Sequence, residues 1–359
     1  MAQQRKKEAI TGPAIVATAN AMRAFDAPVR YPLILKNFNL NLDDPLVPSR
    51  SAFIVLIEHI IGTILVVLLL FSRKAHKKLI SQLKSFDKRD WISFFLVSLG
   101  SGLGLYFFLL ALAYGNPTIA ILLQKSQPLI TLAFAMIILT EKPSKYYYSS
   151  LIIAIIGIFL LVAEEIVEQT TTVGFFGAEI STGLLAAFFS LIAAGFWGSN
   201  TVWGRILTEK VDYWNLTTLR YIGGSLILIF FNLIVGAYTN DNFNIAGETI
   251  ITFGVSTPYL SSPIKFLIPI NAFIAIILLT IFTGGVIPLG LYYFGLRWSK
   301  ASVGGLAELA FPLLAIFINY LFLGFGLSLI QILGAIILLG VVSIMSYVNA
   351  KEHEKELSI

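Results

Sequence analysis

The chain has 359 residues, 57% of them hydrophobic and 13% charged, with a mean hydropathy of +0.83. Soluble globular domains carry about 25% charged residues, so this composition excludes a water-soluble enzyme, a coiled coil and a disordered chain. The formal charge of +5 sits in short gaps between long apolar runs, which marks membrane topology and not nucleic-acid binding. The absence of cysteine and the count of three histidines remove disulfides, thiol catalysis and dense metal coordination, and neither a cofactor nor a metal is expected.

A helix crosses a bilayer in about 20 apolar residues. Ten such stretches occur, at 9–30, 51–72, 91–113, 118–140, 147–163, 181–204, 214–236, 267–291, 302–323 and 327–348, and predict an all-α integral membrane protein. The first is the least apolar. It contains Asn20, Arg23, Asp26 and Arg30, which must face protein or water. Arg5, Lys6 and Lys7 are not followed by the short apolar region and small-residue site of a signal peptide. The gap after the second span holds Arg73, Lys74, Lys77, Lys78, Lys84, Lys88 and Arg89 and is assigned to the cytoplasm. Later even gaps hold Lys142 and Lys145, then Lys210, then Arg297 and Lys300, whereas the gap after the fifth span holds Glu164, Glu165 and Glu168. Both termini are therefore expected inside, in a cell membrane, plasma or inner. The external loop at about 237–266, around Asn240, Asp241 and Pro258, reads as a solvated linker, with an interfacial helix or lid as the alternative.

The two halves repeat. Gly100 matches Gly284, Leu105 matches Leu289, Pro128 matches Pro312 and Leu139 matches Leu323 at one constant offset, and a one-residue deletion aligns Gly157 with Gly340. The expected organisation is a tail at 1–8, a five-helix repeat at 9–163, a linker at 164–180, a second repeat at 181–348 and a tail at 349–359. Because five is odd, the copies insert with opposite orientation, the arrangement by which secondary transporters build alternating access around a central cavity. Gly100, Gly102 and Gly104 in the third span, with Gly284, Gly285 and Pro288 in the eighth, suggest matched flexible gates, although close packing explains any one of these glycines as well.

Gly195-Phe196-Trp197-Gly198-Ser199-Asn200, Leu219-Arg220-Tyr221 and Glu308 to Pro312 in the second half, with Asn116-Pro117-Thr118 through Gln127-Pro128 and Leu139-Thr140-Glu141-Lys142 in the first, resemble the EamA-type transporters of the drug/metabolite transporter superfamily. The resemblance covers nearly the whole chain. It implies ten helices in two inverted five-helix bundles with a central cavity. Two features depart from the family: Ala24-Phe25-Asp26-Ala27-Pro28-Val29-Arg30 stands where its tryptophan-glycine pattern would fall, and Gly324-Phe325 replaces a glutamate after the ninth helix.

Arg23, Asp26 and Arg30 share one helical face. A uniform rise of ~1.5 Å per residue puts Arg23, Glu58, His59 and Lys125 at one depth, roughly 10–12 Å below the outer membrane edge. The functional reading assigns substrate binding to Arg23, Asp26, Gln124, Lys125, Trp197 and Asn200, and proton exchange to Glu58, His59 and Glu308. The alternative is a permanently paired network, Arg23 with Glu58 and Lys125 with Asp26, that fixes helix packing; His59 would then bond a backbone carbonyl and Trp197 would serve packing. Glu141 is read as a helix-terminus or gate residue. The function that follows is secondary active export or exchange of a small polar metabolite, an amino acid or organic anion, with proton coupling and a homodimer both allowed. Direct ATP drive is excluded because no G-x-x-x-x-G-K-[ST] motif occurs. The competing readings are an intramembrane lipid-modifying enzyme using Glu58 and His59, and a passive channel.

Overall fold

A computed structural model describes residues 14–15, 17–31, 47–140, 146–167, 172–175, 178–207, 209–239, 242–245, 248–252, 270–288, 291 and 310–356. The described parts of the apolar runs are largely helical, because a segment in hydrocarbon must satisfy its backbone N–H and C=O groups internally. In chain order these are α1 (17–23), α2 (Asp26–Arg30), α3 (Val47–Ser72), α4 (His76–Lys84), α5 (Lys88–Tyr114), α6 (Pro117–Gln124), α7 (Gln127–Ile138), α8 (Tyr147–Val167), α9 (Thr182–Leu207), α10 (Tyr213–Thr239), α11 (Ile270–Leu278), α12 (Ala310–Leu323) and α13 (Leu329–Glu356). Among the described residues, six helices are long and apolar enough to cross a membrane, and shorter apolar helices lie at Ile274–Pro288, Phe311–Leu323 and Leu329–Ile344.

Local sequence sets several of the ends. Asp87 caps α5, accepting from the N–H groups of Arg89 and Asp90 at 2.8 and 3.0 Å, while Asp90 accepts from the Asp87 N–H at 2.9 Å. This reciprocal capping box satisfies donors that the helix cannot. Asn116 caps α6 by accepting from Thr118 N–H at 2.9 Å, with Pro117 in the first turn, where its missing N–H costs nothing. Lys74, at φ 55°, closes α3 in the left-handed conformation, and the N–H of Ala75 returns to the Leu70 carbonyl.

Two departures from a purely helical reading are antiparallel hairpins. Thr172–Phe175 pairs with Ala178–Ser181, and Asn242–Ile245 pairs with Glu248–Thr252. The second occupies part of the loop read as a linker or lid. Alternation of Asn242, Phe243, Asn244 and Ile245 favours an extended first strand, and the β-branched Thr249, Ile250 and Ile251 favour the second.

α5 packs along α9, α8 along α13, α3 along α10, and α10 also meets α5. At the α8–α13 crossing a Cβ built on Gly157 would stand 3.1 Å from the Gly334 carbonyl oxygen, and one on Gly334 would stand 2.7 Å from that of Gly157. Small residues here let two backbones meet, the packing mode that substitutes for hydrophobic driving force in lipid. Leu68, Phe71, Phe95, Phe159 and Phe230 point outward and are exposed, as lipid-facing side chains must be.

Among the described residues, three of the predicted spans are interrupted. The first turns at Ala24 and Phe25 between α1 and α2; the fourth turns at Lys125 and Ser126 between α6 and α7; the eighth passes from α11 into a π-helical turn, Leu279–Thr283, and bends at Gly284 and Gly285. Of the two spans expected to carry matched flexible gates, the eighth bends and the third does not. α5 runs unbroken through Gly100, Gly102 and Gly104, which seat α9 and α10 closely, whereas Gly285 stands where a Cβ would lie 1.8 Å from the Thr280 carbonyl oxygen.

Candidate functional site

Asp26 and Arg30 stand one helical turn apart, the spacing that lets side chains on one face meet. Arg30 Nε donates to Asp26 Oδ2 at 3.0 Å and Nη2 to Oδ1 at 3.1 Å. The same guanidinium reaches α3, where Nη1 donates to Glu58 Oε1 and Nη2 to Oε2 at 3.3 Å. Arg30 is 2% exposed and Glu58 6%. Isolated charges at that burial would each cost several kcal/mol; the planar fork of arginine, which engages two carboxylates at once, offsets this. Thr283, in the π-helical turn, donates to Asp26 Oδ1 at 3.2 Å. The triad therefore gathers α2, α3 and the π-helical turn after α11, and in its ordinary ionisation it carries two negative charges against one positive.

The expected pairs, Arg23 with Glu58 and Lys125 with Asp26, are replaced: Arg30 serves both carboxylates. The depth count assumed an unbroken first helix and a second span starting at 51, but helix 1 turns at Ala24–Phe25 and α3 begins at Val47. Arg30, assigned to the outer end of its span, is buried instead. Its spacing of four from Asp26 was the available signal.

The other expected residues fall around this triad. Arg23 is half-buried, and it shares electrostatic reach of the Tyr221 hydroxyl with Glu58 and Arg220. His59 donates from Nδ1 to the Val55 carbonyl at 3.1 Å, and its ring centroid lies 5.7 Å from that of Tyr221. Tyr221 in turn fills the space beside Gly62, where a Cβ would stand 2.2 Å from its ring. Asn200, with its amide oriented to satisfy both neighbours, accepts from Arg220 Nη2 and donates to the Val97 carbonyl, each at 3.2 Å. Trp197 packs on Phe108 at 5.6 Å between centroids, its indole over Gly104.

Lys125 and Gln124 lie at the break between α6 and α7. The Lys125 ammonium stands 4.4 Å from the centre of the Phe311 ring, a cation–π contact. α12, which carries Phe311, packs against both α2 and α6, so Lys125 and the triad flank one helix instead of forming a pair. Gln124 Oε1 and Ser126 Oγ are buried without a hydrogen-bond partner among the described residues, an arrangement that favours a polar guest. Glu308 and Glu141 lie outside the described residues. Sequence reading overlooked Tyr221 and Arg220 as site residues, quoting them only within a motif; their proximity to Glu58 and His59 needs the α3–α10 packing.

A model of the EamA-like transporter family matches residues 48–163 and 184–347. A protein of Fusobacterium nucleatum subsp. nucleatum named riboflavin transporter ImpX is 29% identical over 335 residues, covering 92% of this chain and 95% of that protein. A solved structure described as "Crystal structure of protein" superposes with a TM-score of 0.51 at 15% identity, covering 96% of this chain and 99% of its own, and shares the fold.

Proposed function

We propose that this chain, which belongs to the EamA-like transporter family, is a secondary transporter that moves a planar, hydrogen-bonding solute of the riboflavin class by alternating access. It is a multi-pass membrane transporter; the substrate, the coupling and the ten-helix inverted repeat belong to this proposal. The observation that carries it is the nearly end-to-end likeness to a riboflavin transporter. The chemistry around the triad supports it. Arg30 is already neutralised by two carboxylates, so it is not itself a free receptor for an anionic substrate group. Tyr221 and His59 beside the triad, with Trp197 on α9, offer aromatic faces, and Gln124 Oε1 at the α6–α7 break, across α12 from the triad, offers an acceptor, to a ring system that presents N–H and carbonyl groups at its edge. The packing of α3 on α10 and α8 on α13 pairs each of these helices with its equivalent in the other repeat, as inverted halves about a two-fold would.

Discontinuous helices are where such transporters build sites. In the proposed cycle a proton neutralises the one uncompensated charge of the Asp26–Arg30–Glu58 group, loosens the Arg30 bridge, and lets helix 1 move against α3. Glu308 is the second proton candidate. Proteoliposome uptake of labelled riboflavin, amino acids, organic acids and sugars, with and without an imposed pH gradient, tests the reading. Riboflavin should accumulate and be displaced by unlabelled flavin but not by amino acids. Glu58→Gln should lose gradient-driven uptake while keeping exchange at equal pH, and the same split in Glu308→Gln would move the coupling site there. Transport of an amino acid or organic anion without riboflavin would overturn the substrate.

A further inference from the structure

The end of the molecule that carries the basic gap holds a cavity of about 190 Å³ between the last turn of α3 and the first turn of α10. Its floor is apolar, made by Val66, Leu69 and Leu70, and its rim is polar, made by Arg73, Lys78 and Asp212. Apolar spans of α3 and α10 end at Ser72 and begin at Trp214, so the floor lies at hydrocarbon depth and the rim at headgroup level. We propose that this cavity binds an anionic phospholipid, its phosphate on Arg73 and Lys78 and an acyl chain along Val66, Leu69 and Leu70. The inference goes beyond the transport reading and does not depend on it.

Three features support a built site. The Arg73 guanidinium is held 4.5 Å from the centre of the Trp214 ring, a cation–π contact between two residues that line the cavity. The left-handed Lys74 and the Ala75-to-Leu70 bond fix the turn that presents Arg73, so the cation is not on a free tail. Beyond it α4 lies with Leu79 buried, Ile80 exposed, and Lys77, Lys78 and Lys84 outside or at its edge, the pattern of an amphipathic helix resting on a membrane surface. Exposed Phe71 and Trp91 stand at the same boundary.

One carboxylate shares the rim and pairs with Lys78, so Arg73 is the leading phosphate contact and Lys78 bridges phosphate and Asp212. Asp212 Oδ2 accepts from Lys78 Nζ and from Asn215 Nδ2, each at 3.0 Å, and from Gln82 Nε2 at 3.4 Å. With Arg73, Lys74, Lys77, Lys78, Lys84, Lys88 and Arg89 against Asp87, Asp90 and Asp212, the surface stays net positive. A juxtamembrane basic cluster of this size attracts anionic headgroups, and the apolar floor distinguishes a lipid from a free anion.

The test is native mass spectrometry of the purified full-length chain in detergent, with phosphatidylglycerol, phosphatidylcholine or inorganic phosphate added. The wild-type chain should retain phosphatidylglycerol in preference to phosphatidylcholine, undisturbed by equimolar inorganic phosphate. Arg73→Gln and Lys78→Gln should each weaken retention about fivefold, and together about 25-fold, at roughly one tenfold per 1.4 kcal/mol and 1 kcal/mol per cation. Arg73→Lys, which keeps the charge, should lose less. Equal retention of the two lipids, displacement by inorganic phosphate, or unchanged retention in the double variant would each overturn the proposal. The first two need no variant and so do not depend on its folding.

Discussion

Arg30→Gln is the substitution that most directly probes the buried triad. It removes a guanidinium that is 2% exposed and hydrogen-bonded to two carboxylates on two helices, leaving buried Glu58 and half-buried Asp26 without the partner they share. Removing one partner of a buried ion pair typically costs 3–5 kcal/mol because the remaining charge is uncompensated. Glu58 is the buried charge left behind, while Asp26 is part-exposed and keeps the Thr283 hydrogen bond, so a cost of about 3–5 kcal/mol is expected. Glu58→Gln leaves Arg30 still bonded to Asp26 and should cost less, about 1–3 kcal/mol. If the penalty is electrostatic and not one of lost packing, the double variant recovers: with one charge of each sign removed, Arg30→Gln with Glu58→Gln should be less destabilised than the sum by about 1.5–3 kcal/mol. Denaturant unfolding of the purified protein measures all three. Additivity within about 0.5 kcal/mol, or an Arg30→Gln variant as stable as the wild type, would refute the reasoning.

Gly62→Ala should push Tyr221 aside, because the new Cβ would stand 2.2 Å from its ring; overpacking of this kind costs about 1–3 kcal/mol, and an unchanged thermal midpoint would show that Tyr221 moves freely. At the opposite end from the triad, Lys210 donates to Asp90 and, at 3.0 Å, to Asp87. The Lys210 hydrogen bond holds the Asp87 carboxyl below its ordinary value, and the bond to Asp90 holds the Lys210 ammonium above its own. The stabilisation by Asp87 is thus present above the ordinary carboxylate range and lost as pH falls, while that by Lys210 is complete below the ordinary lysine range and lost as pH rises. The difference in thermal midpoint between wild type and Lys210→Met should accordingly stay flat from roughly pH 5 to 9; a steep change between 6 and 8 would contradict it. For topology, Ser81→Cys creates a unique, exposed thiol on α4 in a chain without cysteine, and an impermeant maleimide added to intact cells should fail to label it. Ready labelling would reverse the orientation.

That this is a helical membrane protein in two related halves was legible from hydropathy and the repeat, because a spanning helix is a local solution: about 20 apolar residues satisfy their own backbone. Local chemistry also set the caps at Asp87 and Asn116, and the spacing of four between Asp26 and Arg30. The tertiary structure decided which charge meets which. Glu58 lies 28 residues beyond Arg30, and their meeting depends on a break at Ala24–Phe25 and on the rotation of α3, neither of which hydropathy encodes. The same holds for Tyr221, whose place beside His59 follows from α10 lying along α3, and for Lys125, which faces Phe311 because α12 runs between α6 and α2. Apolar character decides that a residue is inside the membrane; only the packing of one helix on the next decides its partner, because in hydrocarbon every side of a helix is equally apolar and the partner is chosen by fit, hydrogen bonds and charge.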